Sequence, residues 1–218
     1  MVQILEKLEL LRSLDKEFTV FGSSVHRYEL NPPLSEIEFA RIEKRYGCIF
    51  PENYKDFITK VGNGGAGPFY GIFPITMQDH GHGLSGWEGG YLIGDLSKPF
   101  RFTEQWNLPS EFWDEQPDPP EGTPVEIEDK LWEEWDGKLE SEYWNSSIMS
   151  GAIPICHEGC ALRDWLIITG QEAGNVWTDL RADYEGIQPR KDKNGHKLDF
   201  FAWYMDWLNE NLNRLKMA

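Results

Sequence analysis

Five glycines between residues 62 and 71 mark a sharp joint in the chain. An apolar helix pattern runs from Pro51 up to Gly62, and Gly62 is expected to end that helix in a left-handed conformation. The glycines that follow can adopt positive φ without a Cβ penalty, and Pro68 interrupts backbone pairing. Residues 69–75 are aromatic and apolar, so the sequence predicts a helix that turns abruptly into a buried strand.

A glycine-rich loop also raises the question of phosphate binding, but this one lacks the necessary context. Phosphate loops run from a strand into a helix, so that the helix N-terminus faces the anion. Here the order is reversed, and no Lys-Ser or Lys-Thr pair follows the glycines. The run is therefore interpreted as a structural joint.

The composition indicates a globular protein of the reducing cytoplasm. About 40% of the 218 residues are apolar and 14% are aromatic, which is enough for a substantial core. No apolar run approaches the ~20 residues of a membrane span, and the charged N-terminus does not have the pattern of a secretory signal. The three cysteines are widely separated, which does not suggest a disulfide framework.

The net charge of −16 favours basic partners and disfavours binding to nucleic acid or to an anionic membrane. An acidic surface that serves solubility alone is the alternative interpretation. The charge is concentrated, because residues 111–142 contain 13 acidic residues and only two lysines, Lys130 and Lys138. Four tryptophans lie in or beside the same segment, and tryptophan commonly anchors interfaces. We define residues 110–145 as the acidic insert; prolines predict a loop in its first half and residues 126–143 predict a helix.

The order of predicted elements favours an α+β fold in a single domain spanning residues 1–218. Residues 2–14 have helical periodicity, and Ser35 with Glu38 forms a capping-box pattern before a helix that ends at Gly47. Residues 151–157, 161–169 and 174–180 predict three strands joined by tight turns, which is typical of an antiparallel meander. An apolar stripe predicts a final helix from Asp199, the expected N-cap, to Leu215, and its apolar face is expected to pack on the sheet.

No catalytic or metal site is predicted. The segment from Cys156 to Cys160 includes His157, but its spacing is poor for zinc and Cys48 is remote, so Cys156 is interpreted as a core residue. His80 and His82 could complete a four-ligand set only if the fold brought these distant parts of the chain together by chance. No nucleophile motif occurs, and a hydrolase with a carboxylate or Cys-His site is the weakest of the functional hypotheses. The chain is therefore expected not to be an enzyme and to need no cofactor.

Segments spread along the chain resemble the SUKH superfamily (Smi/Knr type), in particular its bacterial immunity proteins related to fungal cell-wall regulators. The resemblance rests on FPENYKDF at residues 50–57, GNGGAGPFYGIF at 62–73, GAIPI at 151–155, HEGC at 157–160, WLIIT at 165–169, GNVW at 174–177, DLR at 179–181 and FAWYMDWL at 201–208. It implies a mixed or mainly antiparallel sheet flanked by helices, without catalysis. It also implies binding to a cognate protein toxin, often a nuclease.

Together with the charge, this resemblance leads to the hypothesis that the acidic insert binds a basic toxin. A regulatory scaffold of the fungal type, which binds other cellular proteins, is the alternative function. The glycine-rich segment 80–87 is the alternative binding face, and the oligomeric state stays open. The candidate contact residues are Asp114, Glu115, Asp118, Glu121, Glu126, Glu128, Asp129, Trp132, Glu133, Glu134, Trp135 and Asp136.

Overall fold

The computed structural model describes residues 1–76 and 92–217. In chain order its elements are α1 (Val2–Leu14), α2 (Ser23–His26), α3 (Glu36–Tyr46), α4 (Glu52–Lys60), α5 (Ser110–Trp113), α6 (Val125–Glu142), β1 (Ala152–Gly159), β2 (Leu162–Ile167), β3 (Val176–Asp179), β4 (Ile187–Pro189) and α7 (Phe200–Met217). A four-stranded antiparallel sheet with helices before and after it confirms the predicted α+β class.

The caps predicted for α3 are present at both ends. Ser35 Oγ accepts a hydrogen bond from the Glu38 backbone N–H at 3.2 Å, and the Ser35 N–H donates to Glu38 Oε2 at 2.9 Å. This reciprocal pair satisfies donors that the first helical turn leaves free. Gly47 ends the helix with φ of 63°, the left-handed conformation that glycine adopts most readily.

The sheet is a meander in the order β1-β2-β3-β4. The two-residue turn between β1 and β2 consists of Cys160 and Ala161, whose φ values are 49° and 65°. Positive φ at both positions is the type I′ geometry, which matches the twist of a tight hairpin. The three predicted strands are confirmed, and β4 is a fourth that the sequence did not indicate.

The glycine joint differs from its prediction in two respects. Helix α4 ends at Lys60, and the left-handed glycines are Gly64 and Gly65 rather than Gly62. Gly62 is needed for close packing, since a Cβ there would lie 2.9 Å from the Asn31 carbonyl oxygen. The strand predicted over 69–75 is also wrong, because Phe69 and Gly71 have positive φ, which breaks an extended run. The segment pairs with β1 through an isolated bridge at Ile72 rather than as a continuous strand.

Both faces of the sheet are buried. One face contributes Ile153, Ile155, Leu166 and Val176 to the larger core, which also includes residues of α1, α3, α4 and α7. The opposite face, led by Trp165 and Trp177, packs against Phe100 and Met149. A third, smaller cluster lies within the acidic insert.

The apolar face of helix α7 lies in the larger core, to which one face of the sheet also contributes. Its helix neighbours are α1 and α4, and its buried residues include Tyr204 and Leu208. A hydrogen bond of 3.0 Å from Trp203 Nε1 to Asp164 Oδ2 on β2 also joins the helix to the sheet. The predicted N-cap is confirmed, because Asp199 Oδ1 accepts from the Ala202 N–H at 2.7 Å.

Candidate partner-binding surface

The acidic insert folds around its own aromatic core. Phe112, Trp135, Leu139 and Tyr143 are buried there, and Trp113 packs against them. The rings of Phe112 and Trp135 have centroids 5.1 Å apart. Helix α6 confirms the predicted helix, and its buried positions recur at helical spacing. The segment is therefore an ordered unit rather than an extended acidic tail.

A buried ion pair attaches this unit to the sheet. Arg181 follows β3 and donates from Nε and Nη2 to the two carboxylate oxygens of Asp179, at 2.8 and 2.6 Å. Arg181 Nη1 also donates to the Tyr143 carbonyl at 2.9 Å, and the Tyr143 hydroxyl accepts from the Gly186 N–H at 2.9 Å. Burial raises the pKa of Tyr143 to about 12, so its hydroxyl stays protonated. The end of α6 is thus fixed to the body of the protein.

The acidic candidates lie on the outside of the insert. Nine of the ten candidate carboxylates are exposed, and the tenth, Glu128, is half-buried. The nine exposed residues are Asp114, Glu115, Asp118, Glu121, Glu126, Asp129, Glu133, Glu134 and Asp136. On α6, Asp129, Glu133 and Asp136 follow at intervals of four and three residues, so they share one face. We call these three residues the acidic stripe.

The two tryptophans among the candidate contact residues pack into the insert instead of lying on its outer surface. Trp135 is only 6% exposed and belongs to the core of the insert, so its ring is not available to a partner in this conformation. Trp132 is half-buried and packs against the same core. Both side chains stabilise the helix that presents the acids, and we confine the proposed contact surface to the carboxylates.

The two lysines of the insert leave most of its charge uncompensated. Lys138 pairs with Glu115 and lies 4.6 Å from the centre of the Phe112 ring. Lys130 lies 3.7 Å from Glu134. The acidic stripe makes no ion pair with any residue of 1–76 or 92–217.

Sequence reasoning missed an apolar pair on α6. Ile127 is 53% exposed and Leu131 is 38% exposed, one helical turn apart. By helical periodicity they lie on the flank of α6 away from the acidic stripe. In the sequence, both residues fall outside the helical spacing of Trp132, Trp135 and Leu139. This is the signal that could have identified them as exposed apolar residues.

The cysteine segment has no metal-binding geometry. Cys156 is fully buried, which confirms its interpretation as a core residue, and its Sγ lies 3.0 Å from the Pro68 carbonyl oxygen. Burial raises the pKa of its thiol, and Cys160 is exposed on the hairpin turn. Over the described parts of the chain, no three His, Cys, Asp or Glu side chains are grouped as metal ligands. His80, His82 and the alternative face at residues 80–87 lie outside the described residues.

A second polar cluster lies beneath the C-terminal helix. Asp164 is fully buried and accepts hydrogen bonds from Thr178, Arg190 and Trp203. Glu158 Oε2 lies 2.6 Å from Arg190 Nη2. Burial and the neighbouring Asp164 raise the pKa of Glu158 to about 7 despite this ion pair. Arg181 and Arg190 therefore both pair with buried carboxylates, Arg181 with Asp179 and Arg190 with Asp164.

Comparisons with known proteins identify one family. None of the helices in residues 1–76 and 92–217 combines the length and apolarity that a membrane crossing requires. No curated protein and no solved structure matches the chain. The model of the SMI1 / KNR4 family (SUKH-1), whose members are generally non-catalytic immunity or regulatory proteins that act through protein contacts, matches residues 33–195. Because this match covers well over half of the chain, the protein belongs to the SMI1 / KNR4 family (SUKH-1).

Proposed function

We propose that the protein is a non-catalytic immunity protein of the cytoplasm, which binds and neutralises a basic toxin domain through the acidic insert. The observation that carries the proposal is the exposure of nine carboxylates on a segment with its own core. Membership of the family supports a role in protein–protein contacts. No cofactor, nucleic acid or membrane takes part in the proposed activity.

Electrostatics explains why such a segment suits a basic partner. Toxins that act on nucleic acid carry basic surfaces, because their substrate is a polyanion. A net charge of −16 accelerates the encounter with such a surface, and a concentrated acidic face orients it. A nuclease whose basic surface is covered in this way cannot bind its substrate. The partner class is therefore a nuclease toxin domain with a basic substrate-binding surface.

The attachment of the insert adds to this argument. Its helix is fixed through Tyr143 and Arg181, so the acidic stripe is held in place before a partner arrives. A backbone that is already ordered loses less conformational entropy on binding. The rigid base thereby favours tight as well as fast association.

The first test is co-purification of the full-length chain with the product of the adjacent gene, followed by kinetics with charge variants. The variant Asp129→Asn/Glu133→Gln/Asp136→Asn neutralises the acidic stripe. Its association rate at low salt should fall roughly threefold to tenfold, and the dependence on salt should become shallower. The matched control is Glu6→Gln/Glu9→Gln/Glu17→Gln, which removes the same charge from exposed positions at the N-terminal end of the chain.

The stripe variant is expected to associate more slowly, whereas the control variant is expected to associate at nearly the rate of the natural chain. If the control reduces association as much as the stripe variant, only net charge matters and the insert is not the binding face. Equal rates for all three proteins would also contradict the proposal. If the neighbouring product does not bind and other cellular proteins do, the regulatory-scaffold function replaces the immunity function.

A further inference from the structure

An aromatic groove lies between α7 and the two loops that carry Phe21 and Phe69. Its volume is about 380 Å³, and Trp203 and Trp207 of α7 form one wall. Cavities of this size suit one long side chain or a small ligand. The groove involves none of the acidic insert, so an inference about it does not depend on the function proposed above.

The floor of the groove is held in place by buried hydrogen bonds. Asp164 accepts from Arg190 Nε at 2.8 Å and from Trp203 Nε1 at 3.0 Å, and both of these donor side chains line the cavity. Glu158 holds the outer nitrogen of the same guanidinium at 2.6 Å. Two of the lining side chains therefore have fixed positions, which is a common property of binding sites.

The wall of the groove that the two loops form contains a residue in a strained backbone conformation. Phe69 has φ of 50°, a left-handed conformation that costs energy for a residue other than glycine. Its carbonyl oxygen lies so close to Gly22 that a Cβ there would be only 1.8 Å away. Arg190 lies 5.5 Å from the centre of the Phe69 ring on one side, and Phe21 packs edge-on against that ring at 6.3 Å.

Two neighbouring aromatic side chains remain open to solvent. Phe21 is 56% exposed, and Tyr70 is 39% exposed with its ring centroid 5.3 Å from that of Phe21. Large exposed aromatic side chains that border a groove are characteristic of interaction sites.

The charges around the groove identify the sign of its occupant. Asp206 and Glu210 are exposed, lie one turn apart on α7, and line the groove. Within residues 1–76 and 92–217 neither carboxylate takes part in a salt bridge or a side-chain hydrogen bond. Of the basic lining residues, Arg190 pairs with two carboxylates and Lys191 with Glu104 at 3.8 Å. Arg214 donates to the Thr19 carbonyl at 3.4 Å, and no carboxylate of the described residues forms a salt bridge with it. Two unpaired carboxylates thus stand against one uncompensated guanidinium. The available charge is therefore negative.

We propose that this groove is a docking site for a single arginine or lysine side chain of a protein partner. The aliphatic stem of that side chain lies against the aromatic walls, and its cationic group reaches Asp206 and Glu210. Aromatic rings and carboxylates together favour such a cation, since the ring faces and the carboxylates both attract positive charge. A second copy of this chain is a poor occupant, because two molecules of net charge −16 repel each other.

Nuclear magnetic resonance of the full chain with small probes tests this site directly. The indole N–H signals of Trp203 and Trp207 report on the groove, and the probes are the N-acetyl amides of arginine, norleucine and glutamate. Arginine amide should shift these signals with a Kd in about the millimolar range, norleucine amide should bind more weakly, and glutamate amide should have no effect. The norleucine probe has an apolar stem without the charge and so isolates the cationic contribution.

A pair of variants links the binding to the two carboxylates. Asp206→Asn/Glu210→Gln should weaken binding of arginine amide about fivefold, which corresponds to two exposed ion pairs of roughly 0.5 kcal/mol each. Glu6→Gln/Glu9→Gln removes the same charge from exposed positions on α1 and should leave the Kd unchanged.

Three results would overturn the proposal. These are an absence of shifts at both indoles, equal binding of arginine and norleucine amides, and equal weakening by the two variant pairs. The carboxylate variants alter exposed side chains only, so unchanged indole signals in the probe-free spectrum establish that the fold is retained. None of these measurements involves the acidic insert, and their failure would leave the proposed function standing.

Discussion

Replacing Arg181 with methionine should destabilise the protein strongly, because it leaves a buried charge without a partner. The Arg181 side chain is 0% exposed and that of Asp179 is 2% exposed. Removal of one partner of such a pair costs about 3–5 kcal/mol. In a protein of this size, each 1 kcal/mol lowers the Tm by about 2–4 °C, so the Tm should fall by roughly 6–20 °C.

Urea unfolding of the full chain measures this loss. Circular dichroism reports on the whole fold, and tryptophan fluorescence also reports on the insert, where Trp113, Trp132 and Trp135 lie. Since Arg181 also donates to the Tyr143 carbonyl, we expect the insert to lose order at lower urea concentration than the rest of the protein. The exposed Arg12 on α1 supplies a matched control, and Arg12→Met should change stability by less than about 0.5 kcal/mol.

A double-mutant cycle decides whether the ion pair is the cause. The double variant Arg181→Met/Asp179→Leu removes both charges and retains much of the side-chain volume, so it should lose less stability than the sum of the two single variants. A loss below about 1 kcal/mol for Arg181→Met would refute the reasoning, and so would strict additivity in the cycle.

Two further predictions concern the groove loop and the buried carboxylate. Gly22→Ala should lower the free energy of unfolding by more than about 2 kcal/mol, because its Cβ would lie 1.8 Å from the Phe69 carbonyl oxygen. Gly47→Ala is the control, since Gly47 also has positive φ but open space around it, and it should lower the free energy of unfolding by about 1 kcal/mol. Similar losses at both sites in urea unfolding would contradict the packing argument. Glu158 has a folded-state pKa of about 7 against an ordinary value of 4.5, so its contribution to stability is present below about pH 4.5 and is lost as the pH rises through 7. The stability of Glu158→Gln relative to the natural chain should therefore increase between pH 5 and pH 8, and urea midpoints that differ by a constant amount over this range would exclude the effect.

The elements that the sequence predicted well are those with local signals. The capping box at Ser35, the left-handed glycine at residue 47 and the apolar stripe of α7 are each contained within a few turns of chain. The β1–β2 hairpin likewise depends on two adjacent residues. Local rules therefore predicted the class of the fold and the order of most elements.

The failures involve contacts between distant parts of the chain. Phe69 adopts positive φ in a loop that packs on Gly22, almost fifty residues earlier, and no local pattern indicates this. Strand β4 has three residues and ends in a proline, so it offers too little periodicity to be recognised. Helix α7 has a correctly predicted apolar face, but the choice of α1 and α4 as its neighbours depends on the topology.

The same contrast between local signals and distant contacts holds for the candidate sites. Acidic residues in a helical pattern could be placed on the surface from the sequence alone, whereas the burial of Trp135 depends on Phe112 and Trp113, whose rings contact it. The groove draws Arg190, Trp203 and Phe69 from three separate segments, and the carboxylate that fixes two of them comes from a fourth. No motif of adjacent residues could have indicated it.

The acidic insert separates what folds it from what it displays. Its aromatic residues face inward, while positions such as Asp129 and Glu133 make no contact on which the fold depends. Substitutions at positions of this kind change stability by no more than about 0.5 kcal/mol. Over evolutionary time the outer side of the helix is consequently free to drift, one residue after another, and to follow changes in whatever it binds while the architecture beneath stays the same.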